Sequence, residues 1–180
     1  MVLVRAAKIQ DASAIAHVHV QSWRTTYPGI VPDAYLASLN EAARALSWQD
    51  QLIRDIQVYV AEQDGELVGF ICGGPIREPL HQYDAELFAI YLLEQAQGQG
   101  LGTALLRKLA ESLGAKGFKG MIAWVLERNP AIHFYEKSGG TPVSDKQIEI
   151  GGVLLQEVAF AWPDLAKLAL PPESGSHLCD

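Results

Sequence analysis

Two cysteines are all that 180 residues provide. Cys72 lies in an apolar run and Cys179 one residue from the end, so they form neither a disulfide framework nor a metal pair. Cys72 reads as buried filler, and the scarcity of cysteine fits a reduced, cytoplasmic setting. Long hydrophobic runs are also missing. No stretch approaches the roughly 20 apolar residues of a membrane span, and the apolar part of "MVLVRAAKIQD" is too short for a secretory signal. Basic charge is in deficit, with 14 Lys and Arg against 21 Asp and Glu, a net charge of −7. That argues against broad nucleic-acid binding, which needs a basic face. It also means that any anion bound here must meet a locally concentrated positive potential.

What is present is ordinary for a globular protein: 49% hydrophobic and 19% charged residues. A chain of this length reads as one domain and buries roughly 70% of its unfolded surface without any staple. "VLVRAA" reads as a strand, and Asp11 as the N-cap of a helix to about Arg24, broken by Pro28-Gly29. Short helices follow over "VPDAYLASL" and about 41–54. "QVYVAEQDGELVGFICGG" predicts a hairpin around Asp64-Gly65, a type I′ turn signal. "AELFAIYLL" (85–93) is apolar at nearly every position, as in a central strand buried on both faces.

Leu101, Leu105, Leu109 and Leu113 then form a helical stripe that Gly114 is expected to end. "MIAWVLE" predicts a strand, Asn129-Pro130 opens a helix, and Gly139-Gly140 stops it. Two last strands flank Gly151-Gly152, and "PPESGSHLCD" has the composition of disorder. The expectation is a domain over 1–163 and a flexible tail over 164–180. Its fold class is mixed α/β (α+β), a largely antiparallel central sheet with helices on both faces.

The segment "QGQGLGT" (97–103) carries the strongest chemistry. Gly98, Gly100 and Gly102 remove Cβ atoms that would keep a ligand from the backbone, and they permit unusual φ angles. A helix opening there presents free N–H groups and a partial positive charge. Such an anion site needs no lysine, which resolves the problem of an acidic chain. A P-loop would end in Gly-Lys-Ser/Thr, and a dinucleotide fingerprint needs a third small residue where Thr103 stands. The pattern Q/R-x-x-G-x-G/A is the one satisfied, by Gln97 through Gly102.

"AELFAIYLLEQAQGQGLGTALLRKLAE" resembles the acetyl-CoA-binding segment of the GNAT superfamily of N-acetyltransferases, and "VLERNPAIHFYEKSGG" resembles that family's second signature. The resemblance covers about residues 2–163. Two departures stand out. Glu94 and Ala96 replace a proline and an aromatic, and Gly140 replaces an aromatic, which implies looser packing there.

The resemblance implies that the backbone from Gln97 through Gly98, Gln99, Gly100, Leu101 and Gly102 to Thr103 holds the CoA diphosphate. The backbone of Tyr91, Leu92 and Leu93 would pair with the pantetheine arm. It makes Tyr135 the acid for the departing thiolate, and a phenol with pKa near 10 is protonated at neutral pH. Asn129 would touch the CoA arm, although Asn before Pro is also a good N-cap. Glu86, the one acid in an apolar strand, matches a frequent position for the general base, with Asp84 in reserve. Burial would raise its pKa; a solvated strand-entry carboxylate is the alternative. Lys137, Arg107 and Lys108 could reach the 3′-phosphate.

Trp23 and Tyr27, one helical turn apart, could line an acceptor pocket or simply pack in a core, and the segment "REPLHQYD" would form a loop beside them. Together these features predict an N-acetyltransferase that moves acetyl from acetyl-CoA to a primary amine of a small molecule or peptide. The amine would attack directly in a ternary complex, with no metal and with a homodimer common in the fold. A non-catalytic acyl-CoA-binding sensor and a nucleotide-binding module are the competing classes.

Overall fold

The structure is a computed structural model and describes residues 2–171. Its strands are β1 (Val2–Ala6), β2 (Gln57–Gln63), β3 (Glu66–Leu80), β4 (Tyr83–Leu92), β5 (Met121–Leu126), β6 (Thr141–Ile150) and β7 (Val153–Trp162). They form one seven-stranded sheet in the order β1-β2-β3-β4-β5-β7-β6. Every neighbouring pair is antiparallel except β4 and β5. The helices are α1 (Ala12–Thr26), α2 (Asp33–Ser38), α3 (Glu41–Leu52), α4 (Leu101–Ala115), α5 (Ala131–Lys137) and α6 (Leu165–Ala169).

Helices cover both faces, as the composition of the sheet requires. On one face Ile15, Ala16 and Val18 of α1 and Trp48 of α3 pack on Val58, Val60 and Phe70. On the other, Leu105, Leu109 and Leu113 of α4 pack on Ile71, Leu87 and Ala123. The leucine stripe is the deepest part of that layer, and Leu109 is 0% exposed. Leu109→Ala should therefore lower stability by about 2–5 kcal/mol. Chemical denaturation with an unchanged m-value would check this.

The hairpin turns follow the sequence chemistry. Asp64 and Gly65 have φ of 53° and 90°, the type I′ geometry that matches strand twist. Elsewhere the structure corrects the expectations. Asp11 precedes α1, but its carboxylate accepts from Arg5 (2.7 and 2.9 Å) and Lys8 N–H (2.7 Å) instead of capping the helix. Gly114 does not end α4; the helix runs on to Ala115. Gly117, at φ 94°, makes the left-handed turn, with Phe118 N–H on Leu113 C=O and Gly117 N–H on Gly114 C=O.

The expected loop 77–84 is instead the end of the β3–β4 hairpin, because Ile76, Leu80 and Tyr83 find apolar partners on Ile122. The first residues of the predicted tail form α6. Asp164 caps α6 through Lys167 N–H, and Leu165 is buried against the α4 layer. One buried leucine anchors a helix too short for periodicity to show. The rest of the predicted tail, 172–180 with Cys179, lies outside the described residues.

Candidate active site

The sheet is incomplete where it matters. β4 and β5 pair only through Ala85, Glu86 and Leu87 with Met121, Ile122 and Ala123. Between Cys72↔Ala89 and Gly73↔Leu87 the β3–β4 register shifts, leaving Phe88 as an extra residue. Such a bulge bends its strand, and β4 parts from β5 just beyond it. Leu93 N–H donates to Val68 C=O at 2.9 Å on the β3 side. Alternation then turns the N–H and C=O groups of Ile90 and Leu92 into the gap. Ser22 Oγ (3.3 Å) and Gln97 Nε2 (3.1 Å) already donate to the Leu92 carbonyl.

The gap is a cleft of about 530 Å³, walled by Ile90, Tyr91 and Leu92 on one side and Asn129, Ala131 and Phe134 on the other. At its end lies the glycine loop, with Gly98, Gly100, Gly102 and Thr103 on the lining. Gln97 N–H is used locally, on Glu94 C=O at 3.2 Å, and Ala104 N–H takes Gly100 C=O at 3.0 Å. The six N–H groups between them, from Gly98 to Thr103, make no hydrogen bond within the described residues. Gly98 and Gly100 stand at φ 72° and 81°, and a Cβ on either would meet nothing within 4 Å. Their need for glycine is conformational. Gly102 is different, since a Cβ there would press on Phe134 at 3.3 Å. Consecutive free amides at the start of a 15-residue helix fit a diphosphate.

Leu101 points away, 3% exposed, into the core. Gln99 uses its side chain on Gln95 C=O (2.8 Å) and Gln63 (3.1 Å), bracing the loop. Leu93 packs among the α1-side apolar residues. Lys137 is exposed, and Lys108 is held by Glu111 at 2.8 Å.

Tyr135 sits among Phe134, Phe160 and Trp162 with ring centroids at 5.6, 5.9 and 5.6 Å. Its hydroxyl makes no hydrogen bond inside the described residues, yet no buried side-chain oxygen there lacks a partner. The phenol oxygen is therefore not wholly enclosed, although Tyr135 is buried and is not among the residues that line the cleft. Burial pushes its pKa upward. The packing near Tyr135 is tight, contrary to the expectation from Gly140: a Cβ at Gly140 would stand 2.9 Å from both Trp162 and the Tyr135 carbonyl. The indole of Trp162 fills the space.

Trp23 and Tyr27 do not line the cleft. Their polar atoms turn inward, Trp23 Nε1 to Tyr91 Oη and Tyr27 Oη to Asn129 Nδ2, each at 3.0 Å. Asn129 accepts Ala131 N–H at 2.9 Å, but α5 opens at Ala131, so Pro130 and not Asn129 holds the capping position.

Glu86 is 2% exposed, so the solvated alternative fails. Its partner, Arg77, lies in the segment expected to be a loop. Arg77 donates from Nε (3.2 Å) and Nη2 to one oxygen, and from its backbone N–H (3.1 Å) to the other. The guanidinium also lies 4.9 Å from the Phe88 ring centroid. Asp84 accepts the N–H groups of Lys119 (3.0 Å) and Gly120 (3.1 Å), a structural tie.

Glu157 was missed altogether. On β7 it stands opposite Leu126 of β5 and Lys146 of β6. Its carboxylate makes no hydrogen bond or ion pair within the described residues, and burial raises its pKa. Only its half-burial beside a charged row marks it, which no spacing rule detects.

A mixed sheet split beside a run of free amides defines an acyl-CoA-dependent transferase fold, and the comparisons agree. Residues 19–140 match the acetyltransferase (GNAT) family. The chain belongs to that family and is an N-acetyltransferase. It is 48% identical over 169 residues to the uncharacterised N-acetyltransferase YuaI of Bacillus subtilis, covering 93% of this chain and 96% of that one. It is 28% identical to a spermidine N(1)-acetyltransferase of Thermoplasma acidophilum over 148 residues, 76% of this chain and 86% of the relative. The crystal structure of the PaiA N-acetyltransferase of T. acidophilum in complex with coenzyme A superposes with a TM-score of 0.71 at 25% identity. That match covers 87% of this chain and 98% of the other.

Proposed function

We propose that this chain transfers acetyl from acetyl-CoA to a primary amine of a small molecule or peptide within a ternary complex. The observation that carries it is the run of six free amides opening onto the same cleft as the gap-facing backbone of Ile90 and Leu92. Acetyl-CoA supplies a thioester carbon and a thiol leaving group. The amides from Gly98 to Thr103 hold the diphosphate, and the gap-facing backbone of Ile90 and Leu92 pairs with the arm. A gap-facing N–H near Leu92 donates to the thioester oxygen as charge develops there. Tyr135 holds the proton destined for sulfur.

Two carboxylates stand on the acceptor side. Glu86, the base implied by the resemblance, has both oxygens engaged by Arg77, one by the guanidinium and one by the backbone N–H. Glu157 is not engaged in this way. The charged groups around it are Arg77 and Glu78 of β3, Glu86 of β4 and Lys146 of β6. Lys146 is itself drawn to Glu78 at 3.2 Å and to the Trp124 ring at 4.3 Å. We assign the first amine proton to Glu157, with the Arg77–Glu86 pair shaping the pocket beside it.

Glu157→Gln should lower kcat by about 10²-fold, the lower range for losing a positioned base. A base must be ionised, and burial raises the pKa of Glu157. Wild-type kcat should therefore fall as pH drops through that raised value, and the fall should vanish in the variant. Thiol release from acetyl-CoA with spermidine as the amine probe reads both. An unchanged acid limb in Glu157→Gln, with a lost one in Glu86→Gln, returns the role to Glu86.

A cytoplasmic setting and a homodimer complete the proposal. Support for the dimer is the edge position of β6 and the exposed Val153 and Leu154 at the β6–β7 turn, 44% and 63% exposed. Among the described residues no helix is long and apolar enough to cross a membrane, and no cluster of three or more His, Cys, Asp or Glu residues is arranged to hold a metal ion.

A further inference from the structure

Backbone pairing between β4 and β5 stops at Leu87 and Ala123, yet β4 runs on to Leu92 and β5 to Leu126. Something else must fix how far apart they stand. The structure offers a chain of side chains. Trp23 Nε1–H of α1 donates to Tyr91 Oη of β4 at 3.0 Å. Tyr91 and Tyr27 pack in one cluster, with their phenols close enough to act on each other's ionisation. Asn129 Nδ2–H, just beyond β5, donates to Tyr27 Oη at 3.0 Å, and Asn129 Oδ1 receives the N–H of Ala131, the first residue of α5, at 2.9 Å.

We propose that Trp23, Tyr91, Tyr27 and Asn129 form a fixed spacer across the split. It sets the width of the cleft and the distance from the α5-borne Tyr135 hydroxyl to the gap-facing backbone of Leu92. They are positioning residues for the transfer, and their role in transfer rests on the function proposed above.

The chemistry of the chain suits a spacer. An indole N–H and a carboxamide N–H only donate, so both ends feed hydrogens inward and neither end can reverse. The members are braced from outside. The Tyr27 and Trp23 rings lie 4.5 Å apart, and His19 backs the Tyr91 ring at 5.1 Å. Burial lowers the His19 pKa to about 3, so no imidazolium forms there to compete for the phenols. Tyr27 is 5% and Asn129 7% exposed, so water is poorly placed to substitute for a lost link. Asn129, expected to contact CoA, has its amide group committed at both ends to the chain.

The test cuts the chain in two places. Tyr27→Phe keeps the ring contact with Trp23 and removes the central hydroxyl. Asn129→Ser leaves an oxygen able to accept from Ala131 N–H but too short to reach Tyr27. With spermidine as amine probe, each should lower kcat at least about tenfold, since an ångström of misplacement near the chemistry costs up to about 10²-fold. The acetyl-CoA Kd should change by less than about threefold, because the diphosphate donors are elsewhere. The double variant should be no worse than the poorer single one, as members of one chain are not additive.

Hydrogen exchange without ligand gives a second readout. Amides of 129–137 should exchange faster in both variants while those of α4 do not. If the wild type does not turn over spermidine, this arm decides alone. Additive losses, an unchanged kcat, or faster exchange across the whole chain would overturn the spacer. A wild type that fails to bind acetyl-CoA, with the local exchange effect intact, would sink the acetyltransferase mechanism and leave the spacer standing.

Discussion

Tyr135→Phe is expected to lower kcat by about 10²–10⁴-fold, the range for losing a positioned proton donor, while the acetyl-CoA Kd stays within about threefold. The substitution removes one oxygen. It leaves the ring in its cage of Phe134, Phe160 and Trp162, so folding should be nearly unaffected. The hydroxyl has no partner inside the described residues and its pKa is raised by burial. It is therefore a proton donor throughout the neutral and mildly alkaline range, and no alkaline limb below about pH 10 should come from it. Single-turnover thiol release would separate this effect from product departure. An unchanged rate of the chemical step would remove Tyr135 from the mechanism.

The second large effect is expected at Gly100. Gly100→Glu should weaken acetyl-CoA binding by at least about 10²-fold, equivalent to losing two charge-assisted hydrogen bonds of about 1.5–3 kcal/mol each. Two physical effects combine. A carboxylate would stand beside the six free amides and compete for them as an anion. The residue sits at φ 81°, where an L side chain costs about 1–2 kcal/mol. Gly100→Asn isolates the second effect, because Asn tolerates that region and brings no charge. It should keep most of the affinity. Equal losses in both variants would mean that loop conformation, and not free amides, decides binding.

The legible parts of the molecule were those where local chemistry dictates structure. The Asp64-Gly65 turn, the α4 leucine stripe and the glycine loop each declare themselves within a few residues. The split between β4 and β5 does not, because it depends on a register shift that places Phe88 out of step with β3. Arg77 belonged to a segment read as a loop, and its pairing with Glu86 exists only because that segment is paired strand. Glu157 comes to the site across two strand neighbours, at a distance in sequence that periodicity cannot bridge. The rings of Trp23 and Tyr27 do lie together, 4.5 Å between centroids, but their spacing cannot reveal that the polar atoms turn inward to Tyr91 and Asn129. The Schellman turn at Gly117 was hidden by a nearer glycine, Gly114, on the same helix.

The measurement that bears most directly on the whole account is calorimetric titration of the wild-type chain with acetyl-CoA, run beside a titration with NAD. Saturable binding of one acetyl-CoA per chain, with no heat from NAD, is the expected result. A folded chain that ignores acetyl-CoA, or that takes NAD in its place, would contradict the assignment of the amides from Gly98 to Thr103 to the CoA diphosphate.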